Sequence, residues 1–275
     1  MRGITPKLFS LFVAFAMALG MVGQVTTTAS ADGVATLTTL GSAYTQNFDT
    51  LATSGTTNAT STLPTGWMLT ETGGGGRDNE QYAADTGSSN TGDTYSYGAS
   101  GSSERAFGGL QSGSLVPVIG AAFTNVTGGT ITSLAISYTG EQWRMGATGR
   151  ADRLDFQFST DATGLANGTW TDYNSLDFTS PVQGGTVGAL NGNLDTNRTA
   201  ISSTISDLSI ANGATFWIRW NSFDATSSDD GLAVDDFSIT PSGIAGDTAP
   251  SVFSNSPTDG AADVPMSSNI TVTFS

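Results

Sequence analysis

The sequence predicts an all-β protein: a jelly-roll-type antiparallel β-sandwich over residues 32–242, then the opening strands of a second, incomplete β-domain. Three observations carry this expectation. Short runs with apolar residues at every second position recur at intervals of about eight to fifteen residues. The connections are rich in Gly, Thr, Ser and Asn, with 35 glycines in the chain. Beyond residue 31 no stretch has the 3.6-residue period of an amphipathic helix.

The N-terminus is set apart first. Arg2 and Lys7 flank the start of an apolar run, Leu8 to Val22, and Ala29-Ser30-Ala31 has a small-x-small pattern. Residues 1–31 read as a secretory signal peptide. The run is about fifteen residues, short of the roughly twenty a spanning helix needs, so no membrane span is expected after cleavage. The expected location is extracellular, free or at the cell surface.

The elements follow in order. Val34 to Leu40 reads as an edge strand and Tyr44 to Leu51 as the first full one. Leu63-Pro64-Thr65-Gly66-Trp67 is a turn leading into a strand, and Thr72 to Arg77, with four consecutive glycines, reads as loop. Thr94–Tyr97, Glu104–Leu110, Leu115–Asn125 and Thr130–Thr139 are strands, with Leu134, Ile136 and Tyr138 forming the bulkier face of the last. Arg153–Ser159 alternates Leu154, Phe156 and Phe158 against Asp155 and Gln157. Trp170–Phe178 and Ala200–Ile210 follow. Phe216–Asn221 and Leu232–Ile239 read as a closing pair joined by a polar loop, Asp224 to Gly231, expected to be a solvated acidic hairpin loop. Residues 243–249 read as a linker, and 250–275 as the start of another module.

Composition excludes several functions. Removing residues 1–31 leaves 244 residues with seven Arg, no Lys and no His against 24 acidic groups, a net charge of 7 − 24 = −17. Such a surface does not suit nucleic acid, whose binding needs clustered cations. Without His or Cys, the Ser–His and Cys–His nucleophile pairs cannot form, and neither can His/Cys zinc sites. Disulfides are absent. A carboxylate pair for glycoside hydrolysis is chemically available, but nothing in the sequence pairs any two carboxylates. The expectation is therefore no catalysis within these residues.

Pro250, Ser256-Pro257-Thr258-Asp259-Gly260-Ala261, Val264-Pro265 and Ile270 to Ser275 resemble the opening of a bacterial Ig-like domain of S-layer (SbsA) type. This implies a truncated Ig-like β-domain, one of a series in a longer secreted or surface protein. Asn47-Phe48-Asp49, Pro64-Thr65-Gly66-Trp67 and Leu232-Ala233-Val234-Asp235-Asp236-Phe237-Ser238-Ile239 resemble concanavalin- and MAM-like jelly rolls of bacterial extracellular proteins. In those families the first and last strands lie side by side and their acidic residues often hold structural calcium. Glu141-Gln142-Trp143-Arg144, Leu154 to Asp161 and Trp217 to Trp220 are similar to the N-terminal region of large secreted nucleases of the endonuclease/exonuclease/phosphatase type.

Two constellations stand out. Asp49, Asp235 and Asp236 form a candidate Ca²⁺ site, since calcium takes six to eight oxygen ligands. Adjacent aspartates on a strand face opposite ways, so a bulge is needed for both to contribute. The competing reading is an edge strand protected by charge. Glu141, Trp143, Arg144, Trp217 and Arg219 form a candidate platform for a glycan, because Arg stacks on aromatic faces and pairs carboxylates bidentately. The competing reading is internal pairing that fixes strand register. The expected function is a non-catalytic, calcium-stabilised adhesion or glycan-binding module. The alternatives are the accessory region of a secreted hydrolase, a nuclease above all, and a structural spacer.

Overall fold

A computed structural model describes residues 33–73, 81–246 and 251–274. The segment read as a signal peptide, most of the four-glycine stretch and residues 247–249 of the expected linker lie outside the described residues. The strands are β1 (Ala35–Leu37), β2 (Tyr44–Gln46), β3 (Asn58–Ala59), β4 (Trp67–Gly73), β5 (Gln81–Asp85) and β6 (Asp93–Tyr97). They continue with β7 (Ala106–Leu110), β8 (Leu115–Asn125), β9 (Thr130–Met145), β10 (Arg153–Ser159), β11 (Thr171–Asp172) and β12 (Phe178–Thr179). The last are β13 (Gly188–Ala189), β14 (Arg198–Ile205), β15 (Thr215–Ser222), β16 (Gly231–Ile244), β17 (Val252–Ser256) and β18 (Thr271–Phe274).

Sixteen of these strands make two sheets, of seven and nine strands. The seven-stranded sheet runs β1-β8-β15-β10-β11, with β4 also on β8 and β12 also on β10. The nine-stranded sheet runs β13-β9-β16-β7-β6-β5-β3, with β14 on β9 and β2 on β16. Pairing is antiparallel except for β1 with β8 and β5 with β6, which are parallel. The expected sandwich is thus present, and β17 pairs β18 as a separate antiparallel ribbon with Val252, Phe253 and Ile270 exposed.

Alternation explains the core. Phe216, Ile218 and Trp220 of β15, Leu154, Phe156 and Phe158 of β10, and Leu134, Ile136 and Tyr138 of β9 all enter one buried cluster. Trp67 and Trp220 stack with centroids 5.9 Å apart, and Tyr138 and Phe156 meet Trp220 edge-on at 5.2 Å. Each such aromatic pair adds about 0.5–1.5 kcal/mol beyond its area burial.

Strand β16 contains the feature that shapes the site. Leu232 and Val234 face the core, and so do Phe237 and Ile239. The step from 234 to 237 is odd, so one residue must be extra. The pairing with β9 slips between Asp235 and Ser238, and Asp236 has φ of 48°. This bulge keeps Asp236 out of the core, where unbroken alternation would have placed it.

Several expectations are corrected. Strands β15 and β16 do not pair: the first is central in the seven-stranded sheet, the second in the nine-stranded one. The segment between them crosses from sheet to sheet instead of making a hairpin. It is not simply solvated either, since Asp224 is exposed but Asp229 and Asp230 are buried. Strand β9 does not stop at Thr139 but continues through Met145, and Trp170–Phe178 breaks into β11, a 3-10 turn at Asn174–Leu176 and β12. Gly243 and Ile244 belong to β16, opposite Ile131 and Thr130, and not to a linker. Among the described residues no helix is long and apolar enough to cross a membrane.

Candidate functional site

On the outer face of the nine-stranded sheet, the bulged strand meets β9. Ala233 lies opposite Glu141 and Asp235 opposite Thr139. Carboxylate oxygens of Glu104, Glu141 and Asp235 lie within 4.8 Å of one another. Glu141 is 1% exposed and Asp235 is 6% exposed, while Glu104 is half-buried at the approach to β7. Trp143 Nε1–H donates to Glu141 Oε2 at 2.8 Å, and Asn193 Nδ2–H donates to Glu104 Oε2. Asp235 Oδ1 is buried and, among the described residues, has no hydrogen-bond partner.

Burial, with the charges of Glu104 and Asp236 adding to it, pushes the Glu141 carboxyl up to about 7 against the pull of the Trp143 N–H and Arg198. Burial raises the Asp235 carboxyl far above the usual carboxylate range, reinforced by Glu141, Asp236 and Glu104 and opposed by the backbone N–H of Asp236. Two buried carboxyls that resist ionising together are a site for protons or for a hard cation. The donor set is oxygen only, which suits Ca²⁺, Mg²⁺ or Mn²⁺ rather than a thiolate- or imidazole-seeking metal.

Of the predicted trio Asp49, Asp235 and Asp236, only Asp235 joins this cluster. Asp49 sits in the exposed turn after β2, where Oδ2 accepts from Asn47 Nδ2 at 2.7 Å and Oδ1 accepts from the backbone N–H of Arg105 at 3.3 Å. The chain leaves β2 at Gln46, opposite Phe237, before Asp49 is reached. Asp236 is exposed on the bulge and shares a shallow depression with Thr45 and Asn47. Glu104 was missed as a site residue: the strand expected to begin there starts only at Ala106, which leaves Glu104 in the preceding loop.

The predicted platform is likewise divided. Trp143 is 1% exposed and stacks on Tyr97 at 6.0 Å within an outer-face cluster, so it offers no open aromatic face. Trp217 and Arg219 lie on the other sheet. There Trp217 is buried against Ala162 and Leu165, and the Arg219 guanidinium lies 4.0 Å over the Trp170 ring. Arg219 Nε–H donates to Gln157 Oε1 at 2.6 Å, and Nη1 donates to the Leu165 carbonyl. These groups hold the segment around Leu165 and Trp170 on the sheet. Internal pairing is what the structure makes of them.

Of the five, Arg144 opens onto a cleft. This cleft, of about 560 Å³, is lined by Asn90, Gln111, Ser112, Arg144, Val187 and Asp229 among others. Arg144 Nη1–H donates to the carbonyls of Gly87 and Ser88 at 3.1 and 3.2 Å, which fixes its guanidinium at the wall. Gln111 is 5% exposed and, among the described residues, its Oε1 has no hydrogen-bond partner. Burial first, then the charge of Asp152, pushes the Asp229 carboxyl up to about 6. Behind it Asp230 accepts from Gly146 N–H at 2.7 Å and Gln142 Nε2–H at 2.9 Å, and its own N–H donates to Asp152 Oδ2 at 2.7 Å. Arg150 lies 3.3 Å from Asp152 and 3.5 Å from Asp230. Among the described residues, Asp229 is the one carboxylate lining the cleft.

No protein-family model matches the chain, and a comparison with curated protein sequences gives no match. Among solved structures, the xylan-binding CBM22-1 domain of Xyn10C from Paenibacillus barcinonensis is similar at 14% identity and TM-score 0.35, covering 76% of this chain and 100% of that one. The K1 cleaved adhesin domain of Lys-gingipain from Porphyromonas gingivalis W83 is similar at 14% identity and TM-score 0.38, covering 74% of this chain and 100% of that one. An isomalto-dextranase of Arthrobacter globiformis T6, solved with panose, is similar at 13% identity and TM-score 0.32, covering 73% of this chain and 33% of that one.

Proposed function

We propose that the chain is a non-catalytic extracellular module that binds a neutral, hydroxyl-rich glycan in the cleft beside Arg144. The observation that carries this is the unpartnered Gln111 Oε1 in a wall shared with Asn90, Arg144 and Asp229. A buried acceptor without a partner costs about 1–3 kcal/mol, which a bound hydroxyl group would recover once the Gln111 amide turns toward the cleft. Vicinal sugar hydroxyls both donate and accept, and the wall supplies amide, guanidinium, carboxylate and hydroxyl groups to match. The net charge of −17 after residue 31, 7 − 24, disfavours a polyanionic ligand. The signal-peptide pattern in residues 1–31 supports secretion, and the paired strands β17 and β18 support a second β-module from residue 250. The reading rests on the cleft and its side chains, not on the fold likenesses.

Affinity electrophoresis against a panel of neutral polysaccharides tests it. At least one should retard the protein, and Arg144→Ala or Gln111→Leu should weaken that retardation about tenfold, the loss of one good hydrogen bond. A panel without retardation, or retardation untouched by both substitutions, would overturn the assignment.

A further inference from the structure

We infer that Glu104, Glu141 and Asp235 hold one calcium ion on the outer face of the nine-stranded sheet, tying the approach to β7 to the bulge in β16. Three carboxylates converge there within 4.8 Å. The independent sign of a ligand is Asp235 Oδ1, which is buried and has no partner although its carboxylate points into the cluster. Trp143 and Asn193 each hold one oxygen of a glutamate. One carboxylate oxygen from each of the three residues would make a three-oxygen face, and water or backbone carbonyls would supply the rest.

The spacing suits calcium. At metal–oxygen distances of about 2.3–2.6 Å, opposite ligands of a calcium shell stand about 4.6–5.2 Å apart. Oxygens within 4.8 Å of one another are close enough to share one such ion with small side-chain adjustments. Magnesium keeps several waters and demands a near-ideal octahedron, which a site with two buried carboxylates accommodates poorly. The surrounding charge also calls for a cation. Arg198 lies opposite Glu141 in the strand register, but its guanidinium is exposed and paired with Asp195 at 2.7 Å. Asp236, next along the chain, adds more negative charge. The site lies outside the cleft, so the inference stands whether or not the cleft binds a glycan.

The test is calorimetric titration of the purified, chelator-stripped chain with calcium chloride, repeated with magnesium chloride, alongside thermal melting in both salts. The expected result is one calcium per chain with Kd of about 10⁻⁴–10⁻³ M, a raised melting temperature, and weaker binding of magnesium. Asp235→Asn and Glu104→Gln should each weaken calcium binding at least tenfold, while Asp49→Asn, which keeps an oxygen acceptor for the Arg105 N–H, should leave it within about twofold. Glu104 is half-buried at the approach to a strand, so its variant reports even if Asp235→Asn folds poorly. No saturable calcium binding, binding unaffected by Glu104→Gln, or loss of binding in Asp49→Asn would overturn the site. Magnesium binding as tightly as calcium would overturn the choice of ion.

Discussion

The crossing between the two sheets is the sharpest place to test the packing argument, through Asp230→Ala. Asp230 is 2% exposed and accepts from Gly146 N–H and Gln142 Nε2–H, with Arg150 3.5 Å away. Truncation removes these acceptors at once: the half-buried Gly146 N–H loses its acceptor, Gln142 Nε2 keeps only the Val182 carbonyl, and Arg150 keeps Asp152 and the Ser228 carbonyl. A stranded donor costs about 1–3 kcal/mol, and the remaining partners limit the rest, so the expected loss is about 1–3 kcal/mol. For a domain of about 200 residues this lowers Tm by about 2–12 °C. Urea and thermal unfolding followed by tryptophan fluorescence measure it. A solvated loop would give a change within about 0.5 kcal/mol, and that result would refute the crossing described here.

Three further outcomes follow from the structure. In excess chelator, stability should rise as pH falls from 8 toward 5. Glu141, usually 4.5 and pushed to about 7, and Asp229, usually 3.8 and pushed to about 6, hold protons in the folded state that the unfolded chain has released. The folded state then binds more protons, so unfolding free energy falls with rising pH, and melts that grow more stable toward pH 8 would contradict this. Trp220→Ala should cost about 3–5 kcal/mol in denaturant unfolding, because the indole is fully buried between Trp67, Tyr138, Phe156 and Phe237. Gly87→Ala should destabilise by about 2–4 kcal/mol and weaken glycan retardation together: at φ of 81° an added Cβ would stand 1.8 Å from the Trp143 carbonyl oxygen, and the Gly87 carbonyl positions Arg144.

Alternation made much of the sandwich legible. Leu115–Asn125 and Arg153–Ser159 form strands over the bounds their sequence predicts, and the inward faces of β9, β10 and β15 are the ones their apolar residues mark. Pairing was less legible, because the partner of a strand is set by contacts far along the chain. Phe216–Asn221 and Leu232–Ile239 look like a hairpin in sequence, yet they belong to opposite layers. The bulge left a trace: the apolar step from Val234 to Phe237 breaks the period of two. It identifies Asp235 and Asp236 as unusual, but not the neighbours of Asp235. Those come from the register of β9 against β16 and from the loop carrying Glu104, neither of which has a local signal. The platform failed for a related reason. Trp143, Arg144, Trp217 and Arg219 are similar in chemistry, and composition alone does not tell which sheet carries each.

The central claim, a binding cleft without catalysis, is tested most directly by an amide and side-chain NMR titration of the isotope-labelled chain with a soluble oligosaccharide of the polysaccharide that retards it. The account predicts saturable shifts of the Asn90 and Gln111 side-chain amides and the Arg144 Nε–H, with the sugar recovered intact. Shifts confined to the Trp170 and Arg219 surface, or cleavage of the oligosaccharide by the purified chain, would contradict it.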